Sequence, residues 1–84
     1  MNTYFIEFIG TLFFIFVGIY TENALATGAA LAIAIMLGNG HFNPVMTIIK
    51  IVSGKLSINE AVPFILSQIA GGLAALELFK RIKL

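Results

Sequence analysis

The chain has 84 residues, 60 % of them hydrophobic and only 11 % charged, with a mean hydropathy of +1.03 and a formal net charge of +1. Soluble domains carry about 45–50 % apolar and about 25 % charged residues, and one this small has too little interior to bury such an excess, so lipid is the solvent the composition calls for. Soluble enzyme, disordered tail and nucleic-acid binder are excluded, since five Lys and Arg against four Asp and Glu make no basic face; the lack of cysteine excludes disulfide frameworks, thiolate catalysis and cysteine-ligated metals.

At roughly 20 residues per spanning helix, the length has room for about three spans and a short remainder. The N-terminus does not read as a cleavable signal, because Met1-Asn2-Thr3 is uncharged, Glu7 interrupts the apolar run and no small-residue cleavage site follows. Residues 4–20 are almost wholly apolar and cover about 26 Å of helix, enough for a first span. Thr21-Glu22-Asn23 is a polar break tight enough to force an antiparallel neighbour, with Asn23 or Thr21 as the next N-cap.

The second span, 24–37, is rich in small residues. Gly28 and Ala32 stand in small-xxx-small register, as do Ala26, Ala30 and Ala34, and such spacing lets helix backbones approach closely in membranes. The expectation is a buried, packed helix. Residues 38–52 follow as a flexible polar loop and a short apolar run from Pro44 to Val52, about 13 Å of helix and too short to span. Asn43 suits the N-cap and Pro44 the first helical position. A half-length helix behind a polar loop reads as a re-entrant segment, tolerated at membrane depth only where protein buries it or water lines it.

Ser57 to Glu60 has capping-box spacing and opens a third span, 60–79, with Pro63 near its first turn, where it does least harm. Gly71 and Ala75 form a further close-packing pair, and Gly10 offers a small surface in the first span. Lys80, Arg81 and Lys83 end the span at an interface, and no segment of the chain repeats another.

Three groups of residues carry a resemblance. Glu7-Phe8-Ile9-Gly10-Thr11 lies in the first span, Gly40-His41-Phe42-Asn43-Pro44-Val45-Met46-Thr47 in the break, and Gln68-Ile69-Ala70-Gly71-Gly72 in the third span. In this order and spacing they resemble the aquaporin, or major intrinsic protein, family. The resemblance covers almost the whole chain but matches only one half of a family member, which is similar to two such halves fused in inverted orientation around one pore. It implies an all-α integral membrane protein with three transmembrane helices and one re-entrant half-helix. The implied activity is passive permeation of water or small neutral solutes such as glycerol, with no catalyst, cofactor or metal. The implied location is a plasma or inner membrane.

The residues fit such a pore, and each has a plainer reading. Asn43 can turn its amide N–H groups toward a lumen beside the positive end of the half-helix, orienting a passing oxygen and repelling cations and protons; alternatively it only caps a short interfacial helix. By resemblance Asn43 and Pro44 match the signature motif, with Val45 in place of its usual Ala. Glu7, costly in a span by about 2.5–3.5 kcal/mol at the bilayer centre, needs donors, which the loop 38–43 has; the resemblance likewise makes it a brace for the loop, and the alternative is a solvated side chain near the interface. His41 lines the entrance or holds the loop, with scaffolding preferred, and one histidine without acidic or thiol neighbours is no metal site. Gln68 reads as packing glue bonded to the backbone of an adjacent helix. Met46 departs from the family, whose filter usually has an arginine directly after the second motif; the filter's usual aromatic is also missing from the second span.

Three spans and a half-helix do not enclose a pore. Two copies inserted in opposite directions about a two-fold axis in the membrane plane do. Lys50 and Lys55 fall on one side, with the terminal amine, and Lys80, Arg81 and Lys83 on the other; so slight a bias sets no single orientation. The expectation is an antiparallel homodimer of dual topology, which can assemble further into a tetramer of pores as the family does. A half-channel with a separate complementary partner stays open, as does a non-conducting interaction subunit or remnant.

Overall fold

In the computed structural model, which describes residues 2–82, the chain is all helical: α1 (Thr3–Thr21), α2 (Ala24–Gly38), α3 (Pro44–Val52) and α4 (Ala61–Ile82), the last entered through a 3-10 turn at Ile58–Glu60. Lys83 and the terminal amine, both counted in the charge balance above, lie outside the described residues. By length and composition α1 and the Ile58–Ile82 segment are each able to cross a membrane, and α2 is a shorter apolar helix. At about 28 Å and about 33 Å, α1 and α4 match a hydrocarbon core of about 30 Å. Their outward faces carry Phe5, Ile9, Phe13, Leu66, Ile69 and Leu73, large apolar side chains left exposed. This is an α-helical membrane protein.

Side-chain oxygens start the helices where orphan N–H groups need acceptors. Asn2 Oδ1 accepts from Tyr4 N at 2.8 Å and from Phe5 N at 3.2 Å, and Asn23 Oδ1 from Ala26 N at 2.8 Å. Thr21 serves α1 instead, its hydroxyl donating to Val17 O. Glu22 (φ 47°) and Asn39 (φ 53°) end α1 and α2 in the left-handed conformation. Ser57 forms only half of the expected box: its Oγ accepts from Asn59 N at 3.2 Å, and Glu60 sits in the 3-10 turn rather than in the helix. α4 continues to Ile82, three residues past the expected span end, with Lys80 and Arg81 beside Glu77 in its last turn, where their charge suits the negative C-terminal end.

α1 is the centre of the bundle, packed on α4 along one side and on α2 along the other. Tyr4 lies against Phe64, and Tyr20 against Phe79, so α1 and α4 run parallel. The two-residue link Glu22-Asn23 reverses the chain, so α2 runs antiparallel to α1. Gly71 permits the closest approach, since a Cβ there would strike the Phe8 carbonyl and come within 3.1 Å of Thr11 Cβ. Ala75 beside it is wholly buried.

The small residues of α2 behave differently from the expectation. Ala30 and Ala34 are buried against α1, whereas Gly28 and Ala32 point away, with nothing within 4 Å of a Cβ built on Gly28. The Ala26-Ala30-Ala34 register packs within the chain, and the Gly28-Ala32 register does not. The helix as a whole is mostly exposed rather than buried, because α1 is its only extensive neighbour among the described helices.

α3 packs on α4. The chain leaves α2 beside Ile6, yet Asn43 and Pro44 share a cavity with Phe14, Ile15, Ile69 and Gly72, at mid-height of α1 and α4. From that tip α3 turns back toward the end of the bundle where α4 begins, spanning about 13 Å.

Candidate functional site: the loop 39–43 and its buried brace

From Gly40 to Phe42 the loop descends beside α1 without helical hydrogen bonds of its own, and buried backbone groups need partners. Glu7 supplies them. Its side chain is fully buried; Oε2 accepts from His41 N at 2.7 Å and Oε1 from Phe42 N at 2.9 Å. A third donor comes from α4, where Gln68 Nε2 reaches Glu7 Oε1 at 2.9 Å. One carboxylate thus joins α1, the loop and α4. Gly40 has to lack a side chain here, since a Cβ would strike Glu7 Oε2.

Gln68 bonds side chains, not the backbone expected of it. The second hydrogen of its amide goes to Thr47 Oγ1 at 2.8 Å, and Thr47 Oγ1 pairs with His41 Nδ1 at 2.9 Å. The chain Glu7–Gln68–Thr47–His41 therefore ties the loop, α3 and α4 to one buried point. His41 is half-buried, its ring stacked on Phe64 at 4.6 Å between centroids. It both bonds within the loop's support and lines an open cavity.

Phe42 locks the loop from the other side. Its backbone takes the left-handed conformation (φ 60°), which costs a bulky residue of order 1–3 kcal/mol unless its surroundings impose it. Here they do: its N–H is held by Glu7 and its ring is 2 % exposed, seated against Gly10, Gly38 and Gly40. A Cβ on Gly10 would collide with that ring.

Beyond this lock the motif is open. Asn43 caps α3, its Oδ1 accepting from Val45 N at 2.8 Å, and Pro44 takes the first helical position. Asn43, Pro44, Val45 and Met46 are all exposed. Among the described residues no donor reaches the carbonyl oxygens of Gly40 and His41. A cavity of about 450 Å³ runs along this side, lined by Asn39, Gly40, His41, Asn43, Met46 and Lys50 among others. A second, of about 210 Å³, shares the lining residue Asn43 and includes Thr11 and Gln68, whose buried Oγ1 and Oε1 have no protein partner among the described residues.

Sequence reasoning assigned no role to Thr47 or Phe42, both inside the quoted motif. The signal for Thr47 was there: one neutral hydroxyl on a nine-residue apolar helix, one turn after Asn43, faces whatever Asn43's helix packs upon. Phe64, which carries the His41 ring, had no signal, since an aromatic in an apolar span looks like any lipid-facing side chain.

A bundle of apolar helices, with an Asn-Pro-capped short helix ending at its mid-height and a carboxylate bracing the preceding loop, defines a helical membrane protein built around a polar half-groove. The sequence matches the major intrinsic protein family over residues 1–83, and the chain belongs to that family of membrane water and glycerol channels. It is 31 % identical to glycerol uptake facilitator protein-like 6 of Lactiplantibacillus plantarum, across 89 % of this chain and 41 % of that protein. It is 39 % identical to aquaporin-8 of Notomys alexis, across 89 % of this chain and 34 % of the relative. With aquaglyceroporin AqpS of Rhizobium meliloti the identity is 32 %, over 62 % of this chain and 24 % of the relative. The chain spans about a third to two fifths of the length of the first two relatives. No solved structure matches it.

Proposed function

We propose that this chain forms half of a passive channel for water and small neutral solutes such as glycerol, and that a second, inverted copy completes the pore. In this reading α1, α2 and α4 cross the bilayer, while the loop and α3 enter it and return. Asn43-Pro44-Val45 from each copy meet near the midplane. The observation that carries the reading is the depth and exposure of the Asn43–Pro44 tip, held at mid-height by Glu7 while its polar groups stay open.

The chemistry follows from what is left unpaired. The carbonyl oxygens of Gly40 and His41 accept hydrogen bonds from a solute passing along the groove. Asn43 Oδ1 is occupied by Val45 N, which leaves its N–H groups to donate to the solute's oxygen. The α3 N-terminus adds roughly half a positive elementary charge at the same point. A molecule with both donor and acceptor is passed along, and a cation is repelled. Met46, uncharged and partly exposed on the same face of α3, leaves the constriction less polar than an arginine would, which suits solutes larger than water.

Stopped-flow osmotic shrinkage of vesicles holding only this chain tests the reading. Water or glycerol flux above that of plain lipid is expected, and Asn43→Asp changes the flux or opens an ion leak. Flux equal to empty vesicles from folded protein favours a separate complementary half or a non-conducting subunit. Tags at the C-terminus are expected to label from both sides of the membrane; labelling from one side alone overturns the inverted pair.

A further inference from the structure

Met46 puts no charge beside Asn43, yet the same face of α3 carries one further along. Asn43, Met46 and Lys50 follow one another at helical spacing of three and four residues. All three line the cavity of about 450 Å³ that leads to the tip, and Lys55 lines it too. The turn after α3 brings the two lysines to one rim: Ser53 N donates to Ile49 O, Gly54 takes φ 80°, and Lys55 N donates to Lys50 O at 2.9 Å.

Neither lysine has an acidic partner among the described residues, where the ion pairs are Glu77 with Lys80 and with Arg81. No acidic side chain lines the cavity. Glu7 is buried beneath it and taken up by three donors. Glu22 ends α1 and Glu77 lies near the end of α4, both at the opposite end of the bundle, while Glu60 lies before α4 and outside the lining. Leu31, Ile35 and Leu56 give the cavity an apolar part of its wall. Low-dielectric walls of this kind concentrate the field of charges set on their rim.

We propose that Lys50 and Lys55 are the charge filter of the pore mouth, repelling cations about 10 Å of helix before they reach Asn43. The filter rests on the channel reading above and adds to it where ions are turned away. It stands at the entrance rather than at the constriction. In an inverted pair each mouth carries its own two lysines, so the barrier is the same from both sides.

Two measurements test it. In vesicles holding the full chain, Lys50→Gln with Lys55→Gln is expected to raise potassium leak on the order of tenfold while osmotic water flux continues; Lys50→Arg with Lys55→Arg leaves the leak at its original level. A leak that stays flat in the glutamine pair, or rises equally in the arginine pair, overturns the filter. The second measurement needs no flux. In micelles, an anionic paramagnetic probe is expected to relax the Met46 methyl several-fold more than a cationic one, and the glutamine pair to level the two. Equal relaxation in the original chain overturns the filter even if water passes. Unequal relaxation without water flux supports a cationic mouth and counts against the channel reading.

Discussion

The two sides of α1 are built on different principles. Toward α4 and the loop, α1 presents Glu7, Gly10 and Thr11, which meet Gln68, Phe42 and Gly71 at fixed points: three hydrogen bonds to one carboxylate, and two glycines whose side chains would collide with neighbours. Toward α2 the contact is made by Ala30 and Ala34, by Thr27 against Gly18 and by Ile6 against Gly38, with no side-chain hydrogen bond between the two helices among the described residues. In lipid, burial of apolar surface gives helices no reason to associate, so packing and polar bonds decide. The first side is specified residue by residue. The second is only permitted.

Substitutions at Glu7 break this contrast most strongly. Glu7→Ala leaves two loop N–H groups and one Gln68 N–H without their acceptor, and a loss larger than the about 1–3 kcal/mol of a single unpaired buried group is expected, read as an earlier midpoint in a denaturing-detergent titration in micelles. Glu7→Gln rescues little, since its own N–H₂ faces donors. A smaller loss, about 1–3 kcal/mol, is expected of Thr47→Val, which keeps the shape but takes the acceptor from one Gln68 N–H and the partner from His41 Nδ1. Gly10→Ala pushes on the Phe42 ring and is expected to increase hydrogen exchange at the Phe42 amide before it lowers the global midpoint. On the other side of α1, Gly28→Ala fills open space on α2 and raises helix propensity; a gain of up to about 1 kcal/mol is expected in the same titration. A loss there as large as at Thr47 would mean that α2 is held as specifically as α4.

Much of the fold was legible in composition and spacing. The helix starts at Asn23 and Asn43 follow from short side-chain oxygens that satisfy orphan N–H groups, a local matter that a linear reading captures; the Asn2 cap of α1 went unread. Pro44 after Asn43 placed the start of α3 to the residue. The helix α4 itself continues past the expected span end at 79, and Lys80 and Arg81 stand in its last turn beside Glu77. The register of α2 was ambiguous for a different reason. Gly28-Ala32 and Ala26-Ala30-Ala34 satisfy the same spacing rule, and which of them packs depends on the rotation of the helix against α1.

By itself the sequence determined the solvent, the number of helices, the half-length of α3 and the pairing of Asn43 with Pro44. All are consequences of hydrophobicity and of backbone groups that need local partners. Tertiary structure alone decided that Glu7, Gln68, Thr47 and His41 form one buried chain, that Phe42 rather than a polar residue locks the loop, and that Lys50 and Lys55 share a rim. Those residues are separated by up to 61 positions, and only the packing of α4 and α3 around α1 brings their short-range bonds within reach.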